Sequence, residues 1–354
     1  MLKLKTNKLQ SLLNKVMKAV SNNKLLPITS LIGIKTTKEG HLLLQSYDGN
    51  NYLQTLTTTD YFEDNYVAIN ANSFYGIVSR INQEFITLEF TQKYLLLKTS
   101  GSNYKFDIAY EEDKVVTFPT YKTTETTEVT VDLKDLELAL DLNKAAAAQT
   151  SELVSITGAY FGDKIVTTNG YTACLTKRKL FSKPLLLSYN TINLISALNG
   201  EKIGVSIGNK ITFTDTEGTT IIGEPMEQVN EYPLQKVLSF LETSMVGTFN
   251  LSKKDLLQSL DRLNVFVDVY DQNILHAEVT ETEFTLKGSN SGAVETFKLT
   301  GTNAPAKFKI DYGYLRSQVS SLISEVVTIK YGNPSLIIIE EKDAHHIIAL
   351  VSEA

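Results

Sequence analysis

The chain holds a single cysteine, Cys174, in 354 residues. A lone thiol closes no intramolecular disulfide, and such usage fits a reducing cytoplasm. No apolar run approaches the roughly 18 residues that a membrane-spanning helix needs. The start, MLKLKTNKLQ, is too polar for a secretory signal. Positive charge is not in surplus either. Lys and Arg number 34 against 40 Asp and Glu, a net charge of −6, which argues against a protein that coats nucleic acid through its overall charge. Catalytic signatures are missing too. GSNSGA at 288–293 lacks the Gly-Lys-Ser/Thr ending of a phosphate-binding loop and reads as a hairpin turn. His41 and His276 stand alone. His345 and His346 are adjacent in a strand-like run, so they point to opposite faces and share no metal ion. Cys174 has no base nearby in sequence and reads as a buried structural residue. Glu111, Glu112 and Asp113 read as a solvated loop. The expectation is a non-enzyme with no cofactor and no metal.

What is present is a repeat. Length alone suggests two or three domains, and 42% apolar residues suffice for real cores. Three stretches, KLQSLLNKVM, KDLELALDLN and KDLLQSLDRL, align on Leu9, Leu136 and Leu256. Each has a second leucine four positions on, at Leu13, Leu140 and Leu260, which is the stripe of an amphipathic helix. Further along each third, a strand-like run feeds a short glycine turn, at Asp48-Gly49, Asn169-Gly170 and Ser291-Gly292. Next comes an extended triplet on Ile69, Leu187 and Ile310, followed by Asn70, Ser188 and Asp311, all good helix N-caps. Between the markers the chain is rich in β-branched and aromatic residues broken by polar turns. A period near 120 residues is too long for a solenoid unit, so each copy reads as a domain: 1–122, 123–244 and 245–354. The fold class is α+β, with each domain placing two helices on antiparallel sheet.

Charge is uneven along these thirds, at +3, −5 and −4. In the first helix Leu9, Leu12, Leu13, Val16 and Val20 share one face. Lys8, Ser11, Lys15, Lys18 and Asn22 share another. Such a stripe is either a solvated surface or a face turned to phosphates. The second helix mixes Lys134 and Lys144 with Glu137 and Asp141. The third mixes Lys253, Lys254 and Arg262 with Asp255 and Asp261. Any contact with DNA through these faces is loose, blind to sequence and sensitive to salt.

With the repeat in view, LNKVMKAVSNNKLLPITSLIGIK, TTNGYTACL, GEPMEQVNEYPLQKVL and FKIDYGYLRSQVSSL resemble, in order, segments of the bacterial-type β sliding clamps, the processivity factors of replicative DNA polymerases. The resemblance covers essentially the whole chain. It implies a head-to-tail homodimer of three-domain subunits, each forming half of a closed ring around double-stranded DNA. Its partners would be the polymerase and a clamp loader, in the cytoplasm at the replication site and away from any membrane. Closure removes open sheet edges, and a topological hold needs attraction only on the inner wall, so an acidic exterior is tolerated.

Carried over residue by residue, the resemblance implies a partner-peptide cleft using Ile156, Thr168, Gly170, Tyr171, Thr172, Pro233, Leu238, Ile348 and Leu350. It implies DNA-facing cations at Lys8, Lys15, Lys18, Lys24, Arg80, Lys134, Lys144, Lys253, Lys254, Arg262 and Arg316. It implies a subunit interface in which Phe106 and Ile108, on the edge strand YKFDIAY, meet Val265 and Phe266. The family's usual Asp, His and Arg are replaced here by Asn169, Tyr171 and Thr172, and its usual ending by VSEA. These departures imply a different partner peptide and a bacteriophage or otherwise divergent replicon. The competing reading is a monomeric clamp-like repeat protein that binds a protein partner and never encircles DNA.

Overall fold

The structure is a computed structural model that describes residues 1–120, 127–148, 150–266, 273–288 and 292–352. Among these residues seven α-helices pack on antiparallel sheets: α1 (Thr6–Val16), α2 (Ala71–Val78), α3 (Leu133–Lys144), α4 (Tyr189–Leu194), α5 (Leu234–Ser239), α6 (Lys253–Leu263) and α7 (Tyr312–Ser321). The expected α+β class is what the chain adopts. The helix-to-helix repeat is visible as the pairs α1–α2, α3–α4 and α6–α7, whereas the short α5 has no α-helical counterpart among the described residues of the other two thirds.

The periodicity that marks the helices is the one they bury. Leu9, Leu136 and Leu256 are all fully buried, as are Leu13 and Leu260, while Leu140 is half-buried. The second helices start where the caps stand. The Asn70 side chain accepts from the Ser73 N–H at 2.9 Å, and Asp311 accepts from the Tyr314 N–H at 2.8 Å; each satisfies a donor that the first helical turn leaves without a partner. Gly49 and Gly170 sit at φ +110° and +90°, a conformation that side chains resist. Of the third turn marker, Ser291 lies outside the described residues, as do residues 121–126 of the expected boundary near residue 122.

The chain folds as two compact units. The first combines Met1–Glu137 with Asn190–Pro225, and the second combines Leu138–Tyr189 with Met226–Ala354. In the first unit an eight-stranded sheet runs from Thr127–Asp132 through Lys202–Ile207, Ile211–Thr214 and Thr219–Gly223 to Tyr52–Thr58, His41–Tyr47, Leu31–Thr36 and Asn65–Asn70. Ile221 opposite Leu53 marks the seam where the middle third joins the first. A four-stranded sheet, Leu2–Lys5, Phe85–Phe90, Tyr94–Lys98 and Asn103–Asp107, and a two-stranded one, Tyr110–Glu111 with Lys114–Val115, complete the sheets of this unit among the described residues.

The second unit repeats the plan. Its eight strands run from Leu185–Ser188 through Gly158–Phe161, Ile165–Thr168 and Thr172–Thr176 to Ala344–Ala349, Leu336–Glu340, Val326–Tyr331 and Gly247–Ser252. Its four-stranded sheet is ordered Val294–Lys298, Glu283–Gly288, Ile274–Val279 and Ala306–Asp311. The middle sequence repeat is therefore shared: four of its strands complete the first unit's sheet and four complete the second's. The three-way division at 122 and 244 is a property of the sequence repeat, whereas compactness divides the chain into two.

Candidate functional site

The cations come first. Lys8, Lys18, Lys24, Arg80, Lys134, Lys144, Lys254, Arg262 and Arg316 are exposed, and Lys253 is half-buried. Lys15 departs from the expectation of a solvent-facing stripe. It is buried, and its ammonium donates to Thr219 Oγ1 at 2.8 Å, beside Glu217 Oε2 at 3.3 Å and Asp215 Oδ2 at 3.6 Å. The cause is the hairpin between Ile211–Thr214 and Thr219–Gly223, which lies against the end of α1 and places two carboxylates on the helix flank. Lys18, one turn on, donates to the Ser196 carbonyl at 2.7 Å and hydroxyl at 2.8 Å; its partial burial lowers the ammonium pKa, against which Glu137 raises it.

Other cations are also engaged at home. Arg262 forms a double contact with Glu295, at 2.8 and 2.6 Å, and Arg316 meets Asp261 at 2.9 Å. Lys253 donates to the Leu322 carbonyl, Arg80 to that of Gly76, and Lys8 to that of Thr58. The arginine pairs lie at the surface, where such pairs contribute little, while the Lys15 cluster is buried.

The cleft candidates all lie in the second unit and form two groups. One apolar layer collects Val166, Ala173, Leu175, Ile338 and Ile347 beneath Tyr232 and Val237, with Leu238 half-buried at its margin. Tyr232 donates from its hydroxyl to the Val166 carbonyl at 2.9 Å and stacks on Tyr160 at 5.4 Å. Pro233, half-buried, is the N-cap of α5, the helix that carries Leu238. Ile156 is buried in the 3-10 turn Val154–Thr157.

The second group surrounds the Asn169-Gly170 turn. Asn169 Oδ1 accepts from the N–H groups of Tyr171 at 2.9 Å and Thr172 at 2.7 Å. A carboxylate would accept both bonds as well, so asparagine serves where the resembling family has aspartate. Thr168 and Thr172 are buried, with hydroxyls committed inside the turn; they shape it and offer nothing outward. Tyr171 is 62% exposed and stacks on Tyr314 at 5.6 Å. Its carbonyl accepts from the Ala349 N–H at 2.8 Å, which brings the turn beside Leu350.

Ile348 requires correction as a cleft residue. It is fully buried in the core beneath α6 and α7, with Leu275, Leu286 and Val319. Its neighbour Ile347 faces the Leu238 layer, because successive residues of a strand point to opposite faces.

The interface candidates also separate. Val265 is 79% exposed and Phe266 48%. Phe106 and Ile108, expected to lie open at an edge, are instead buried, and Phe106 meets Phe74 edge-to-face at 5.1 Å. Alternation explains this. In Asn103–Asp107 the residue facing the core is Phe106, so the edge presents backbone with Lys105 and Asp107 outward. In the second unit the four-stranded sheet has Val294–Lys298 at one of its ends.

The two histidines behave as alternation requires. His345 faces Glu340 at 3.8 Å, while His346 is buried, with Nδ1 2.8 Å from Gln318 Oε1 and Nε2 3.9 Å from both Cys174 Sγ and Glu341 Oε2. Burial, with Glu341 nearby, pushes the Cys174 thiol well up, so it is not a nucleophile. This polar cluster has no sequence signature.

Residues 1–119 match the family described as DNA polymerase III beta subunit, N-terminal domain. A search of curated protein sequences found no match. Among solved structures the chain is similar to the DNA polymerase III beta subunit of Thermotoga maritima, with TM-score 0.87 and 15% identity over 100% of this chain and 99% of that one. It is similar to the DNA polymerase sliding clamp of Pseudomonas aeruginosa, with TM-score 0.86 and 14% identity over 99% of each. It is similar to the DNA polymerase III subunit beta of Borrelia burgdorferi, with TM-score 0.86 and 18% identity over 99% and 98%. The chain thus has, from end to end, the fold of the DNA polymerase III beta sliding clamps, and its first 119 residues match that family's N-terminal domain.

Proposed function

We propose that the protein is a DNA sliding clamp, a non-enzymatic platform. Two copies close head to tail into a ring around duplex DNA and tether the replicative polymerase at the cytoplasmic replication site, after opening by a clamp loader. The observation that carries this reading is the end-to-end agreement in fold, which covers nearly all of both chains. The exposed lysines of α1, α3 and α6 supply a loose, sequence-blind attraction. The open edges Asn103–Asp107 and Val294–Lys298 offer backbone pairing between copies. The turn at Asn169–Thr172, together with Leu238, Pro233 and Leu350, supplies the partner-binding surface.

The test is retention on DNA. Loaded protein stays on closed circular DNA in high salt and leaves when the circle is cut; equal loss from both forms would end the proposal. One observation favours the monomeric partner-binding alternative: Lys15, Arg262 and Arg316 are engaged with carboxylates of their own chain. Light scattering over a dilution series separates the two. A species of twice the 39.4 kDa subunit supports the ring, and a monomer at every concentration supports the alternative.

A further inference from the structure

The pair Asn-Gly occurs twice in the chain, at Asn169-Gly170 and Asn199-Gly200. Glycine has no β-carbon to hinder its own nitrogen, so that nitrogen can attack the carboxamide carbon of the asparagine before it. A succinimide ring forms as the bond from that carbon to Nδ2 breaks, and the glycine N–H proton leaves with ammonia. Water then opens the ring at either carbonyl. The product is aspartate, or isoaspartate with the chain rerouted through the side chain. Both glycines sit at positive φ, +90° and +102°, so backbone class does not separate the two sites. Their hydrogen bonds do. At the first site both reacting groups are held. Asn169 Oδ1 accepts from the Tyr171 N–H at 2.9 Å, the Thr172 N–H at 2.7 Å and the Thr172 hydroxyl at 3.2 Å, and the Gly170 N–H donates to Thr168 Oγ1 at 3.1 Å. Attack requires the carboxamide to swing towards Gly170 and give up these bonds. At the second site the carboxamide makes one bond, from Nδ2 to Glu217 Oε2 at 2.7 Å. The Gly200 N–H meets no acceptor among the described residues, and both Asn199 and Gly200 are exposed.

We propose that Asn199 is a site of spontaneous deamidation in the folded protein, that Asn169 is protected by its turn, and that the carboxylate formed at position 199 loosens the Lys15 cluster. The product matters because of where it stands. The Asn199 N–H donates to Asp215 Oδ2 at 2.9 Å and its Nδ2 to Glu217 Oε2, and these are the two carboxylates that share Lys15. Hydrogen bonding from Asn199, and then from Lys15, holds the Glu217 carboxyl below its usual value. Deamidation removes that donor and sets a third carboxylate against the other two, with Lys15 still the cation between them. Isoaspartate also lengthens the backbone beside the N–H that Asp215 accepts. Neither step depends on whether two copies close into a ring.

The experiment ages the full chain in mildly alkaline buffer, folded and in urea. Both sites are followed by peptide mass spectrometry with isoaspartyl methyltransferase labelling. In the folded protein Asn199 is expected to convert roughly tenfold faster than Asn169, the factor that one or two additional hydrogen bonds supply. In urea the two rates converge, because both asparagines precede glycine and neither keeps its partners. Asn169 converting as fast as Asn199 in the folded protein, Asn199 staying intact there while it converts in urea, or a rate gap that persists in urea would each overturn the proposal. Asn199→Asp stands in for the product. Its urea midpoint is expected to fall below that of the unsubstituted protein at neutral pH. A carboxyl repelled by its neighbours has a raised folded pKa, so its cost is present at neutral pH and the gap closes in acid, where it is protonated. Asn333→Asp, in the other unit, leaves the midpoint unchanged, since Asn333 Oδ1 accepts from the Ser335 N–H at 2.9 Å and a carboxylate accepts the same bond. Circular dichroism confirms that each variant is folded. An unchanged midpoint for Asn199→Asp, or an equal loss at both pH values, would overturn the link to the Lys15 cluster.

Discussion

Lys15 illustrates how a residue's neighbours, rather than its helix position, decide its role. Asp215, whose side chain is fully buried, accepts from the N–H groups of Glu217 at 2.9 Å and Thr219 at 2.7 Å, and Lys15 supplies the balancing charge. Lys15→Met is expected to destabilise the fold by about 3–5 kcal/mol in urea denaturation, because it leaves a buried carboxylate without its cation; an unchanged midpoint would return Lys15 to the surface set. Spacing places Lys15 on the polar flank of α1, but its partners stand about 200 residues away, so nothing local in the sequence signals the pairing. Glu341 gives a pH prediction. Burial opposes its charge, but the nearby His346 and the hydrogen bonds donated by the N–H groups of Ser324 and Ile323 outweigh this and hold the carboxyl below its usual value. A carboxyl with a folded pKa below its unfolded one adds stability at neutral pH, and that stability is lost as pH falls through the carboxylate range. Glu341→Gln should therefore lower the urea midpoint at neutral pH and narrow the gap between neutral and acid; a parallel drop at both pH values would contradict this.

Helices and strands were legible wherever the signal was local. The i, i+4 leucines of α1, α3 and α6 and the caps Asn70 and Asp311 were readable because helix burial and capping depend on residues a few positions apart. Sheet-level facts were not. That the middle repeat divides its strands between two sheets depends on pairings such as Ile221 with Leu53 and Cys174 with His346, whose members lie more than 150 residues apart. Strand alternation also separates two residues that the family resemblance grouped. Leu238→Ala should weaken a polymerase tail peptide with little change in stability, whereas Ile348→Ala should cost about 2–5 kcal/mol by opening a cavity in the core. The reverse pattern in paired binding and denaturation measurements would mean that the faces are misassigned. For the helices proposed to face DNA, Lys8→Gln, Lys134→Gln or Lys254→Gln should each reduce the salt slope of DNA association by about one, since each removes one exposed cation.

At the scale of the molecule, assembly is the open quantity. Val265 and Phe266 are exposed, whereas Phe106 and Ile108 already serve their own core. Val265→Asp with Phe266→Asp should give a monomer in light scattering with an unchanged melting temperature. Phe106→Asp should lower the melting temperature, so it tests folding and not assembly. The shared middle repeat also sets an order for biosynthesis. The strand Thr172–Thr176 hydrogen-bonds to Ala344–Ala349, the last regular element described, with Cys174 opposite His346. Emerging from the ribosome, the first unit has all its strands once residue 225 is out. The strands of the second unit made before that point wait more than a hundred residues with one sheet edge unpaired, the state in which nascent chains most readily aggregate or recruit chaperones. A chain stalled before Ala344 would thus carry one finished unit and one open edge, and the last strand to be made is the one that closes it.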